Sequence, residues 1–142
     1  VDRFQTLLNP QRRIPSSITR LTGISDDMVA DAPLFAEVAD HIASFTEDAV
    51  FVAHNVNFDY GFIKQEFARL EQSFRRPKMC TVREMRRTHP GLSSYSLANL
   101  TKHFHIDMEQ HHRALSDAKA AAELLKLAFE KDDEGFSVGD NV

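Results

Sequence analysis

Apolar and polar positions along the chain change their period from block to block. Residues 3–8 (RFQTLL) read as a strand, stopped by Asn9 and Pro10 and followed by a turn at Pro15. A short helix is predicted over 16–21 with Gly23 as its C-terminal cap, and Ser25 starts another helical turn to Val29. Pro33 opens a helix over 33–45, on which Phe35, Val38, Ile42 and Phe45 recur at helical spacing. The run 49–53 (AVFVA) is wholly apolar, as expected of a strand covered on both faces. Asn57 next caps a helix to about Glu71, with Phe58, Phe62, Ile63, Phe67 and Leu70 on its buried side. A basic loop at 75–78 leads to a short strand over 79–82 and a helical piece over 83–88, ended by Pro90 and Gly91. Ser96 caps a helix to Phe104, and a last helix covers 114–130. Strands alternating with helices predict an α/β layer fold.

Composition narrows the class. The 142 residues correspond to about one domain, and 42% hydrophobic content with 11 Phe can fill a core, which excludes a disordered chain. No apolar run approaches the ~18–20 residues needed to cross a bilayer. A lone cysteine, Cys80, excludes an intrachain disulfide framework, reads as a small buried apolar group, and fits a reducing compartment. Val1 is followed by no charged-then-apolar leader, so a cytoplasmic protein is expected. The net charge of −4 is concentrated in an acidic polar tail at 131–142, where Asp132, Asp133, Glu134 and Asp140 face Lys131 alone. Residues 1–130, read as the folded domain, therefore carry a net −1, which excludes no partner.

Two carboxylates stand on the apolar sides of their helices. Asp59 precedes Phe62 and Ile63 at i+3 and i+4, and Asp117 lies between Ala114 and Ala121. Each could simply complement a helix N-terminus, a gain of roughly 0.3–1 kcal/mol. Their neighbours argue for more. Asp59 follows an apolar strand and the polar turn His54-Asn55, and such turns lie at the sheet edge where α/β proteins bind ligands. His112 precedes Asp117 by five residues, about 140° apart on a helix, which places His112 in the loop before it. A histidine beside a metal-binding carboxylate can serve as a general base near neutral pH.

The segment 52–59 (VAHNVNFD), with Phe62-Ile63 after it, resembles the second motif of the DnaQ-like 3′–5′ exonucleases of the DEDDh branch. Residues 112–118 (HRALSDA) resemble their third motif, and 9–10, 14–15, 21–24, 80–81 and 95–97 extend the likeness over roughly residues 4–128. This resemblance implies a ribonuclease H-like fold, a mixed sheet flanked by helices. It also implies hydrolysis of nucleic acid, DNA favoured over RNA, from a single-stranded or 3′-terminal end to nucleoside 5′-monophosphates. Two divalent ions, Mg²⁺ or Mn²⁺, are implied as cofactors; hard oxygen ligands suit them. On the matching positions, Asp59 and Asp117 would be metal ligands and His112 the base that deprotonates the attacking water. Leu21, Thr22, Gly23, His54, Asn55 and Phe58 would line the pocket for the terminal nucleotide. The family's members include a DNA polymerase proofreading subunit, so a polymerase subunit or a fused repair domain is an implied partner.

One departure qualifies this reading. The family's first motif, Asp-x-Glu on the first strand, has no match here, because Asp2-Arg3-Phe4 ends in a residue that cannot bind metal. The expectation is therefore a domain lacking its first strand or strands, inactive or nearly so alone, and marginally stable because neighbouring strand edges are uncovered. A non-catalytic nucleic-acid-binding or polymerase-partner module with the same fold is the alternative. Arg75, Arg76, Lys78, Arg83, Arg86 and Arg87 form a basic cluster that reads equally as a phosphate-tracking patch or as a solvated face. His103, His105, His111 and His112 match no standard zinc spacing.

Overall fold

A computed structural model describes residues 2–108 and 113–131. Its sheet is a parallel pair, β1 (Phe51–Ala53) and β2 (Lys78–Cys80), with Phe51 opposite Lys78, Val52 opposite Met79 and Ala53 opposite Cys80. Parallel neighbours need a crossover, and α4 (Val56–Arg69) supplies it. Three short helices precede the pair: α1 (Ser16–Thr22), α2 (Asp26–Val29) and α3 (Phe35–Phe45). After it come α5 (Thr81–Thr88), α6 (Leu97–His103) and α7 (Ala114–Lys131). No helix among the described residues is long and apolar enough to cross a membrane.

Two apolar cores form. Ala39 of α3, Tyr60 and Phe67 of α4, and Phe74 make the first, in which the Phe67 and Phe74 rings stack at 4.8 Å. Met85 of α5, Leu100 of α6, and Leu124 and Ala128 of α7 make the second, each of them completely buried. Strand β1 packs against both α4 and α7, so the parallel pair lies where the two cores meet.

Several local expectations hold. Gly23 closes α1 at φ 76°, its N–H donating to Thr19 O at 2.8 Å. The Ser96 hydroxyl accepts from Asn99 N at 3.1 Å and caps α6. Others are corrected. Residues 3–8 form no strand, since the described sheet offers them no ladder. Instead they lie along α3, where Phe4 packs on His41 at 4.4 Å and Asn9 N donates to Pro33 O at 2.9 Å. Helix α3 accordingly starts at Phe35, two residues after Pro33. Strand β1 is half-buried rather than covered on both faces. Strand β2 starts one residue earlier than expected, and Thr81 and Val82 belong to α5.

The start of α4 also differs. Asn55, not Asn57, is its N-terminal flanking residue and turns the chain at φ 67°, a left-handed conformation that asparagine tolerates better than most residues. Asn57 lies within the helix, its side-chain oxygen accepting from Lys78 Nζ at 3.0 Å. Val56, Tyr60, Ile63 and Phe67 take the inner face at helical spacing. Phe58 and Phe62 point about 170° and about 130° away from the centre of that row and are 67% and 57% exposed. Their rings pack on each other at 4.9 Å instead of entering the core. The acidic segment after Lys131 lies outside the described residues.

Candidate functional site

Both strands end at one edge. From Ala53 the chain turns through His54 and Asn55 into α4, and from Cys80 it passes directly into α5, so two helices begin side by side there. His54 is held at both ring nitrogens. Its Nε2 lies 2.6 Å from Tyr95 O, and its Nδ1 lies 2.7 Å from Thr81 Oγ1. A carbonyl only accepts, so Nε2 carries the proton and Nδ1 accepts from the threonine hydroxyl. Burial pushes the His54 pKa below its usual value, and the Tyr95 bond offsets part of that effect. The imidazole therefore ties the end of β1 to α5 and to the segment before α6.

Asp59 sits one turn into α4, and Asp117 stands in the first turn of α7. They are 58 positions apart in sequence and belong to helices of different cores, yet Asp59 lies within reach of the charge of Asp117. The Asp59 pKa is raised, first by burial of the carboxylate and then by the negative charge of Asp117, against a lowering hydrogen bond from its own backbone N–H. Two like charges brought together disfavour joint ionisation, and a cation between them removes that penalty. Asp117 N donates to Arg113 O at 3.0 Å, which fixes the first turn of α7.

The Leu21-Thr22-Gly23 stretch reaches this region through Arg113, the residue that precedes α7. Arg113 Nε donates to Thr22 O at 2.6 Å, across 91 positions. No local pattern announces such a contact. His112, the expected base, lies outside the described residues, as does His111. Phe58 stands beside Asp59 with its ring open to solvent. Cys80 is half-buried rather than a sealed apolar group. Burial pushes its thiol up, but backbone N–H groups of Arg83, Val56, Asn55 and Val82, at the starts of α4 and α5, more than offset this and lower its pKa.

The basic cluster is divided by its contacts. Arg76 caps the end of α3 through Ala43 O at 3.0 Å and Thr46 O at 2.9 Å, and covers the Phe74 ring. Lys78 lies over Tyr60, and Arg87 pairs with Glu84 at 2.9 Å. Arg75, Arg83, Arg86 and Arg87 are all exposed, with Arg86 resting on the Tyr95 ring.

A parallel strand pair joined by a crossover helix, with Asp59 in the helix that leaves its strand-end edge, defines a domain of the α/β class. The exonuclease family model RNase_T matches residues 1–125, and the chain belongs to this family of 3′–5′ exonucleases, the DnaQ-like group. It is 41% identical over 140 residues to DNA polymerase III PolC-type of Clostridium perfringens, covering 99% of this chain and 10% of that one. It is 39% identical over 133 residues to the 3′–5′ exonuclease DinG of Staphylococcus epidermidis, covering 92% of this chain and 15% of that one. The chain thus spans a small part of the length of these curated relatives. Among solved structures, exonuclease X in complex with 5′ overhanging duplex DNA matches with a TM-score of 0.76 and 27% identity, over 96% of this chain and 77% of that one. The ribonuclease H-like fold is thereby established.

Proposed function

We propose that this domain removes nucleotides from the 3′ end of nucleic acid, DNA rather than RNA, with two divalent ions, Mg²⁺ or Mn²⁺. The carrying observation is that Asp59 of α4 lies within reach of the negative charge of Asp117 of α7, although the two helices belong to different cores. This donor set is hard and anionic and fits such ions. When bound, the ions supply charge stabilisation at the scissile phosphate. Asp59 and Asp117 hold them, and His112 accepts the proton of the attacking water. Phe58 stacks on the terminal base. Leu21, Thr22, Gly23 and Asn55 border the same pocket with the ring of His54, whose nitrogens are already engaged.

Among the described residues no group of three His, Cys, Asp or Glu forms a metal site. Two carboxylates hold Mg²⁺ weakly, so slow or undetectable hydrolysis by these 142 residues alone belongs to the proposal. The polymerase and DinG likenesses favour a cytoplasmic setting with a polymerase or fused repair domain as partner.

Paramagnetic Mn²⁺ tests this reading whether or not the chain turns over. Mn²⁺ is expected to broaden NMR signals of residues 54–59 and 114–117 first and to raise the melting midpoint, with both effects lost in Asp59→Asn and in Asp117→Asn. A 5′-labelled oligonucleotide would then shorten from its 3′ end, if at all, only with metal present. Broadening centred elsewhere, unaffected by both substitutions, overturns the proposal. Oligonucleotide binding without any metal localisation at these carboxylates would favour the non-catalytic module instead.

A further inference from the structure

The Thr22 carbonyl closes the C-terminal end of α1, and Gly23 follows it in the left-handed conformation. Arg113 reaches both. Its Nε donates to that carbonyl at 2.6 Å, and its Nη2 lies 3.4 Å from where a β-carbon on Gly23 would stand. The same residue's own carbonyl accepts from Asp117 N at 3.0 Å, so its backbone begins the turn that carries the carboxylate. A guanidinium at a helix C-terminus also complements the negative end of the helix dipole. Helix α1 has no buried residue of its own, and Ile18 and Leu21 are 44% and 52% exposed. Packing alone therefore holds α1 loosely, and a charge-assisted hydrogen bond counts for more there.

We propose that Arg113 is a positioning residue that straps the Leu21-Thr22-Gly23 end of α1 to the first turn of α7, setting those residues against Asp117. This rests on the exonuclease reading for its consequence, though not for its geometry. The strap carries no chemistry. It fixes the distance between the residues that border the terminal nucleotide and a carboxylate that holds the metal.

The test uses the full chain with Arg113→Ala, Arg113→Lys and, as a control on the same helix, Arg20→Ala. Amide hydrogen exchange is followed across α1 and Gly23. In Arg113→Ala, exchange there should rise about tenfold, as expected for loss of a charged hydrogen bond, with amides of α5 and α6 unchanged. Arg113→Lys should restore part of the protection, and Arg20→Ala, which removes a last-turn charge but leaves the Thr22 bond, should raise exchange far less than Arg113→Ala. Under Mn²⁺, KM for a single-stranded 3′ end should rise several-fold in Arg113→Ala, with kcat within about twofold. Unchanged exchange in α1, or an equal rise in every helix, overturns the strap. Faster exchange in α1 with an unchanged KM overturns its positioning role. If the parent chain hydrolyses no 3′ end, the Kd of a single-stranded 3′ end under Mn²⁺ replaces KM, an unchanged Kd in Arg113→Ala overturning the positioning role, while the exchange experiment still decides whether the strap exists.

Discussion

His54 shows how one side chain at the strand edge links geometry to pH. Its neutral form satisfies both the Tyr95 carbonyl and the Thr81 hydroxyl, and its pKa is held below 6.5 by burial. Between the lowered folded value and 6.5, the unfolded chain binds the proton more readily. The stability this residue contributes is thus complete above 6.5 and is lost as pH falls through its folded pKa. His89, lowered by burial and then by Lys131 and His103, acts in the same sense. Asp59 acts oppositely and in a lower window, because its raised pKa makes protonation favour the folded state as pH falls toward 3.8. Urea midpoints should therefore decline as pH drops just below 6.5, and imidazole nitrogen shifts should report His54 as the Nε2–H form with a depressed pKa. A flat midpoint with a normally titrating His54 would contradict this. At this scale the sequence exposes Asp59 and Asp117 because carboxylates on apolar helix sides are conspicuous. It hides the partners of His54 and Arg113, since each lies dozens of positions away.

Helices show the same division between local and remote signals. Gly23 and Ser96 could be read as caps because their partners, Thr19 O and Asn99 N, lie within one turn. The end of α3 is different. Arg76, 30 or more positions away, donates to Ala43 O and Thr46 O and lies 4.5 Å from the centre of the Phe74 ring. In the sequence it looks like one more member of a basic run. Arg76→Ala should cost about 2 kcal/mol, through lost charged hydrogen bonds at a helix terminus and a lost ring contact. Arg76→Lys should recover less than half of this, because an ammonium cannot span both carbonyls as the planar fork does. Urea unfolding of the two variants checks the order, and exchange of α3 amides checks the location. Helical spacing also misplaces Phe58 and Phe62, which it assigns to the buried side and which are exposed. The 56, 60, 63, 67 row already fills the inner face of α4, and Phe62 lies about 130° from its centre, toward solvent.

Across the whole molecule, the proposed site lies between two cores and would take one carboxylate from each side, Asp59 from α4 and Asp117 from α7. The α/β class was legible because apolar runs and helical periods alternate. The pairing was not, since residues 3–8 have strand-like composition but no described neighbour to bond with. Charge at this scale separates binding from net electrostatics. The chain carries −4, yet Arg83 and Arg86 project from α5, the helix that begins at the edge bearing the site. Arg76, Lys78 and Arg87 are occupied by a helix terminus, Asn57 and Glu84. Exposed arginines not already paired with a carboxylate are the ones that release counterions from a strand's phosphates, and each contact contributes about 0.7 to the salt slope for single strands. Replacing Arg83 and Arg86 together by Ala should therefore flatten the plot of log affinity against log salt by about 1.4 for single-stranded DNA. Lys78→Ala should leave that slope within error. The reverse pattern would show that the strand runs along the β2 side of the domain, away from the start of α5.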